Sequence, residues 1–297
     1  MIWVVSPMLH DTVSFARLHD EVRTAVAASG DHRALRFLVV DDSAGTDPDV
    51  ESLQRLGDVE VLTPPFNLGH QRAIVYGLRH LSPTLEDDDV VVTMDSDGED
   101  QPADVPRLLA AMEASNAVLV LAQRTKRSEP LLFRVLYSMF RIFFRCMAGI
   151  TVMSGNFAAQ RGDSLKATVH HPSFDLCYSS TLLALRRATT TVPCARGHRF
   201  AGRSRMNTSS LIAHGIRMLL PFSERIAARM LVIAALSFVG LATLLTLTAL
   251  SVIGGTVAAS LTTAAAVLFV ASFVSFLVLF SGFSQSSSVA MKGLGTA

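Results

Sequence analysis

From Met230 to Met291 the chain carries no Asp, Glu, Lys or Arg. A run of about 20 apolar residues is what a helix needs to cross a bilayer. Two such runs fit in this stretch, Met230 to Ile253 and Val257 to Phe283, with Gly254-Gly255 as a turn signal between them. The pattern predicts two transmembrane helices at about 230–253 and 257–283. Ser and Thr inside the runs are tolerable, because they can bond the backbone or a facing helix. Arg217, Arg225 and Arg229 precede the first run and Lys292 follows the second. By the positive-inside rule both flanks are cytoplasmic, and so are both termini and everything in front. Residues 211–229 are then a basic juxtamembrane helix or linker, and 284–297 a short cytoplasmic tail. The rival reading is a pair of buried core helices in a soluble protein.

The overall balance of 50% hydrophobic and 17% charged residues is therefore an average over two unlike parts. All the acidic residues, and every basic one except Lys292, lie before Met230. Residues 1–210 are long enough for one domain with a real core. The near-neutral balance speaks against a nucleic-acid partner. Acid gathers at Asp41-Asp42, Glu86 to Asp89 and Asp95 to Asp104, and base at Arg124 to Arg145 and Arg196 to Arg205. Such segregation suits a ligand made of metal and phosphates, or equally a set of solvated faces. Cys146, Cys177 and Cys194 lack metal-ligand spacing, which implies a reduced compartment or core packing. Met1 runs straight into Ile2-Trp3-Val4-Val5, a strand and not a secretory signal.

The front part alternates strands with helices. Strands are expected at Ile2 to Ser6, Leu35 to Val40, Val59 to Leu62, Asp89 to Met94 and Ala117 to Ala122. Helices are expected at Thr12 to Ser29, Val50 to Leu56, Gly69 to His80 and Ala103 to Ala114. Buried strands between helices predict an open α/β, mostly parallel sheet. Polar residues gather just past the strand ends: Asp41-Asp42, Asp95 to Glu99, Gln123-Arg124. Ligands of such sheets lie outside the carboxyl ends of the strands, so three segments point at one crevice. Pro130 to Ile150 is amphipathic and basic, an interfacial or an ordinary packed helix.

Asp95-Ser96-Asp97-Gly98-Glu99 sets three carboxylates close together behind an apolar strand. Without compensation they would resist ionising together. A divalent cation resolves this, and hard oxygen ligands favour Mg²⁺ or Mn²⁺, whose shell is normally completed by substrate phosphates. Asp41-Asp42-Ser43 follows its strand in the same way. A carboxylate there can accept from a base N–H or a ribose hydroxyl, and it can equally well form a turn.

In this order the segments resemble glycosyltransferase family 2, with its Rossmann-like GT-A fold, and within it the polyprenyl-phosphate sugar transferases. The resemblance covers nearly the whole chain. It rests on Val39-Val40-Asp41-Asp42-Ser43, on Asn67-Leu68-Gly69-His70-Gln71, on Met94 to Asp100 with Pro102, on Gln123-Arg124 with Arg127, on Arg199 to Arg205, and on the apolar tail. It implies a metal-dependent, inverting transfer of a hexose from a UDP- or GDP-sugar. The acceptor would be a polyprenyl phosphate or another lipid-linked group among the membrane lipids, and a homo-oligomer is left open. Asp97, Arg124, Arg199 and Arg205 become the catalytic candidates. Pro7, Asp41, Asp42, Asn67, Gln71, Asp95 and Ser96 become the nucleotide-sugar contacts. Asp95, Asp97 and Glu99 would hold the Mg²⁺ or Mn²⁺, and Arg124, Arg127 and Arg134 the acceptor phosphate.

An ionised phosphate acceptor needs no strong base. A hydroxyl acceptor needs one, and Asp175 is then the candidate, ahead of Asp163 and His171. Several positions depart from the family. Its opening Pro-x-Tyr-Asn-Glu is represented clearly by Pro7 alone, with Asp11 as a shifted substitute. Glu99 stands for a usual Gln, Arg203 for Glu, Arg205 for Lys, and Asn156 for a frequent Asp. Rivals from other classes fit less well. A phosphoacceptor receiver domain needs its acidic pair on the first strand and a Lys after the last. A haloacid-dehalogenase phosphatase needs Thr at Glu99. A non-catalytic nucleotide-sugar-binding membrane protein would keep the fold without an intact acid triplet.

Overall fold

The computed structural model describes residues 1–125, 131–152, 154–201, 208–250, 252–253 and 255–294, with side chains omitted at 131–136, 154, 208 and beyond 282. It divides into two compact units: Met1–Met139 with Val152–Pro221, and Phe140–Thr151 with Phe222–Ala297.

The first unit is built on a seven-stranded sheet. Its strands are β1 (Ile2–Met8), β2 (Leu35–Asp41), β3 (Val59–Leu62), β4 (Val90–Thr93), β5 (Leu119–Arg124), β6 (Ser154–Arg161) and β7 (Thr189–Cys194), in the order β3-β2-β1-β4-β6-β5-β7. Five of them match the expected strands within a few residues. β6 and β7 were not expected. β6 runs antiparallel to both β4 and β5, and all other pairings are parallel. Its sequence, Ser-Gly-Asn-Phe-Ala-Ala-Gln-Arg, lacks the β-branched run that marked the others. β7 is a Thr-rich edge strand, where Pro193 is tolerated.

Alternation along the strands divides the core between two faces. Ile2, Val4, Phe37, Val39, Val90 and Val92 face one way. They pack under α1 (Thr12–Ala28), through Phe15, Leu18, Val22 and Val26, and under α4 (Val105–Ser115), through Leu108 and Met112. Trp3, Val5, Leu38 and Val91 face the other way. There they meet Ile74, Val75, Leu78 and Leu81 of α3 (His70–Leu81). Leu165 of α6 (Gly162–Thr168) and Tyr178 of α7 (Tyr178–Ala184) complete that layer. α3 lies so close to the sheet that a Cβ on Gly77 would stand 2.6 Å from a Val40 methyl. The short α2 is Glu51–Gln54, and α8 is Thr208–Leu219.

Order along the chain runs outward from β1 to β3, then jumps back to β4 on the other side of β1. That makes the carboxyl ends of β1 and β4 the switch point where a ligand crevice opens. Met8 is in register with Asp41, and the Met94 amide bonds Val5 O at 3.2 Å. Both acid segments are therefore set beside the end of β1.

In the second unit, α5 (Leu131–Ala148) contributes its C-terminal part, and α9 (Ser223–Ala249) and α10 (Gly255–Leu294) form an apolar pair. Ser209–Ala249 and Gly255–Gly282 are long and apolar enough to cross a membrane, and only 6% of either apolar window is buried. That exposure disfavours the core-helix alternative. The buried positions of the pair are small: Ala227, Ala234 and Ser237 on α9, Ala258 and Ser272 on α10. Arg225 and Arg229, expected in a linker, lie in the first turns of α9. The Arg229 guanidinium donates to the carbonyls of Arg145 and Cys146, capping the end of α5. Phe144 packs edge-on against Phe222 at 5.4 Å.

Candidate active site

The crevice has two acidic lips. Asp41, fully buried, accepts from the Ser43 amide at 3.1 Å and lies 3.4 Å from the Thr63 hydroxyl. Asp42 spends both carboxylate oxygens on backbone, accepting from Leu68 N at 2.6 Å and Gly69 N at 2.9 Å. The Asn67 amide returns a bond to Asp42 O at 2.7 Å. Gly69 takes a φ of +77°, which only glycine adopts freely, and α3 starts at the next residue. Asp42 and Asn67, expected to touch the nucleotide sugar, thus fasten the loop in front of α3. An Asp beside free amides satisfies them before any ligand arrives. Burial raises the Asp42 pKa, and the two amides hold it back.

The second lip follows β4. Asp95 lies 3.1 Å from His70 Nε2, the first residue of α3, and 3.3 Å from the amide nitrogen of Asn156 on β6. Burial works against its charge, but His70, Arg124 and Asn156 hold its carboxyl well below the usual range. Gln71 is bonded at both ends of its amide. Its Oε1 accepts from the Ser179 amide at 3.2 Å, and its Nε2 donates to Asn156 Oδ1 at 2.5 Å. Asp100, wholly enclosed beneath the motif, accepts from the Asp95 amide at 3.1 Å and from Arg124 at 3.2 Å. Burial and the Asp95 charge push its carboxyl up to about 7. Arg124, at the end of β5, is thereby committed to Asp100. Ser96 and Pro7 are buried.

Asp97 and Glu99 face the segment after β7. Asp97 Oδ2 lies 2.5 Å from Arg199. Glu99 accepts from Arg199 Nε at 3.1 Å and is bound by the Arg196 guanidinium through its other oxygen. Burial and the Asp95 charge raise the Asp97 pKa. Gly98, at φ +84°, admits the Phe200 ring, which a Cβ would meet at 2.7 Å.

The donor chemistry suits a hard cation: the motif offers carboxylate oxygens and no soft ligands. The expected trio does not converge, however. Among the described residues no three His, Cys, Asp or Glu side chains gather as metal ligands. Asp97 is bonded to Arg199, and Glu99 to both Arg196 and Arg199.

Asp175 is elsewhere, paired through both oxygens with Arg79 at 2.6 and 3.2 Å. Arg127, Arg205 and the Arg134 side chain lie outside the described residues. Counting from Pro7, Asp11 stands where the family's Glu does, so it is not shifted, and its carbonyl opens α1. His70, Asp100 and Arg196 had no assigned role, and Asn156 was expected only as a replacement for a frequent Asp. His70 was legible only as the residue that follows the Asn-x-Gly loop.

An open sheet with acid at its switch point, opposed by arginines from a later loop, is an architecture suited to nucleotide-dependent transfer in the α/β class. The Glycosyl transferase family 2 profile matches residues 15–177, more than half of the chain, and the chain belongs to that family. No curated protein matches it. Among solved structures, glucosyl-3-phosphoglycerate synthase from Mycobacterium tuberculosis, in complex with Mn²⁺, UDP-glucose and phosphoglyceric acid, is 19% identical. That match covers 76% of this chain and 79% of the other, with a TM-score of 0.50. Its complex with Mn²⁺, UDP and phosphoglyceric acid is 22% identical over 76% and 78% of the two chains, with a TM-score of 0.49. At such identity the likeness is one of fold.

Proposed function

We propose that the chain is a Mg²⁺- or Mn²⁺-dependent inverting glycosyltransferase. It would move a hexose from a nucleotide diphosphate sugar to a polyprenyl phosphate at the cytoplasmic membrane face. Family membership supports the transfer, and the two apolar helices support the membrane. The single observation that carries the acceptor class is Asp175. Both its oxygens are bonded to Arg79, which leaves the base required by a hydroxyl acceptor engaged. A phosphate monoester is already ionised and needs none.

The cation, held by Asp95 and Asp97, would neutralise charge on the departing diphosphate. Arg199 stands beside Asp97, within reach of the same phosphates. Asp41, with the walls around Pro7 and Ser96, lines the place for the nucleoside. His70 and Asn156 fix the direction of the Asp95 carboxylate. Asp100 anchors the motif from below and holds Arg124 at the end of β5.

The test incubates membranes containing the full chain with labelled UDP- and GDP-hexoses and Mn²⁺. Label is expected in an acid-labile lipid fraction. Label appearing only in an acid-stable glycolipid would move the acceptor to a hydroxyl. Absence of transfer from every donor, with polyprenyl phosphate supplied, would remove the enzyme reading.

A further inference from the structure

Asp97 and Glu99, two of the three carboxylates expected to meet the cation, are bonded instead to Arg199 and Arg196. The contact is built into the backbone as well. Gly197 N donates to Glu99 O at 2.8 Å, and Phe200 N donates to Asp97 O at 2.8 Å. A Cβ on Gly197 would stand 2.4 Å from Gly98 O, so the segment lies directly against the motif. The Phe200 ring covers Gly98, and the Arg17 guanidinium of α1 stacks on that ring at 4.3 Å. A cleft of about 500 Å³ on this side is lined by Arg17, Glu21, Gln101, Arg196, His198 and Arg199.

We infer that Arg196 and Arg199 are counter-charges that occupy the cation's carboxylates until a diphosphate arrives, so that the cation enters together with the donor and not ahead of it. The inference rests on the proposed function for the identity of the diphosphate, and on the structure for the competition. A guanidinium and a divalent ion compete for the same carboxylate oxygens. Where the ion takes an oxygen that an arginine holds, its apparent affinity falls by the cost of displacing that arginine. A pyrophosphate changes the balance, because it offers the guanidinium groups new bidentate partners while it adds oxygen ligands for the cation. Arg196 thereby becomes a positioning residue. It holds Glu99 away from the ion and yields it only when phosphate competes.

The consequence is a sign reversal within one variant. In the full-length protein in detergent, Mn²⁺ binding is followed by electron paramagnetic resonance, first alone and then with UDP or GDP. Arg196→Ala/Arg199→Ala is expected to bind Mn²⁺ alone roughly tenfold more tightly than the wild type. It is expected to bind the Mn²⁺-nucleoside diphosphate roughly tenfold more weakly. If that double variant does not fold, Arg196→Ala alone should show the first effect at about threefold.

Mn²⁺ affinity that is unchanged or weaker in the absence of nucleotide overturns the competition, whatever the nucleotide result. So does a wild type that binds Mn²⁺ equally well with and without the diphosphate. If neither UDP nor GDP binds with Mn²⁺ while the metal-only effect appears, the donor reading falls and the competition for the carboxylates stands.

Discussion

Two acid segments flank the end of β1, and they do opposite things. The pair after β2 is closed by backbone: the amides of Leu68 and Gly69 take both oxygens of Asp42. The run after β4 is closed by side chains: His70, Arg124, Arg196 and Arg199 surround Asp95 to Asp100. Amides are fixed once the loop is folded. Guanidinium groups on long side chains can exchange partners. Asp42 is therefore held as a fastener, while the carboxylates after β4 keep partners that can exchange, although both segments appear in sequence as acid behind a buried strand.

The largest effect should come from the exchangeable side. Asp97→Asn is expected to lower transfer by on the order of 10³-fold, the scale of a lost electrostatic contact to a departing group. Its melting temperature should hold or rise, because burial and Asp95 already disfavour the charge on Asp97. A melting curve that collapses with the activity would make Asp97 a fastener too.

The reverse is expected of Asp42→Ala. Two buried charged hydrogen bonds go, for a loss of about 3 kcal/mol in stability. Transfer by the fraction that stays folded should change less than about threefold. Denaturant titration beside an activity assay would separate the two, and a large rate loss at unchanged stability would return Asp42 to the nucleotide.

Smaller is Gly98→Ala, where a φ of +84° and the Phe200 ring both oppose a Cβ. A cost of about 1–2 kcal/mol is expected. Mn²⁺ affinity without nucleotide should rise as the ring is pushed off the motif. If it does not, Phe200 plays no part in holding the arginines in place.

Least is expected of Asp175→Asn. Its Arg79 pair is more than half exposed on the Asp side and contributes little. Transfer should fall less than about threefold. Near-complete silence in the same assay would identify Asp175 as a base and the acceptor as a hydroxyl.

Five strands, the helices between them and the apolar tail were legible from period and composition, because burial on one face or on all faces writes itself into spacing. β6 was not. Its buried residues Phe157, Ala158 and Ala159 are divided between the two faces of the sheet, and a run with two alanines carries little periodic signal. Within the site, the residues that bring charge were legible and their partners were not. Asp95, Asp97 and Arg199 stood out as types, but nothing in the spacing joined His70 to Asp95 or Asn156 to Gln71.

The sequence alone determined that an acidic loop would follow a buried strand of an α/β sheet, and that an uncharged tail would follow the domain. These are consequences of local pattern, since each strand and each apolar run reports its own surroundings. Tertiary structure alone decided which carboxylates are held by amides and which by arginines. That choice depends on contacts such as Glu99 with Arg196, far apart along the chain, and the energy of an ion pair depends on distance in space, which no sequence interval encodes.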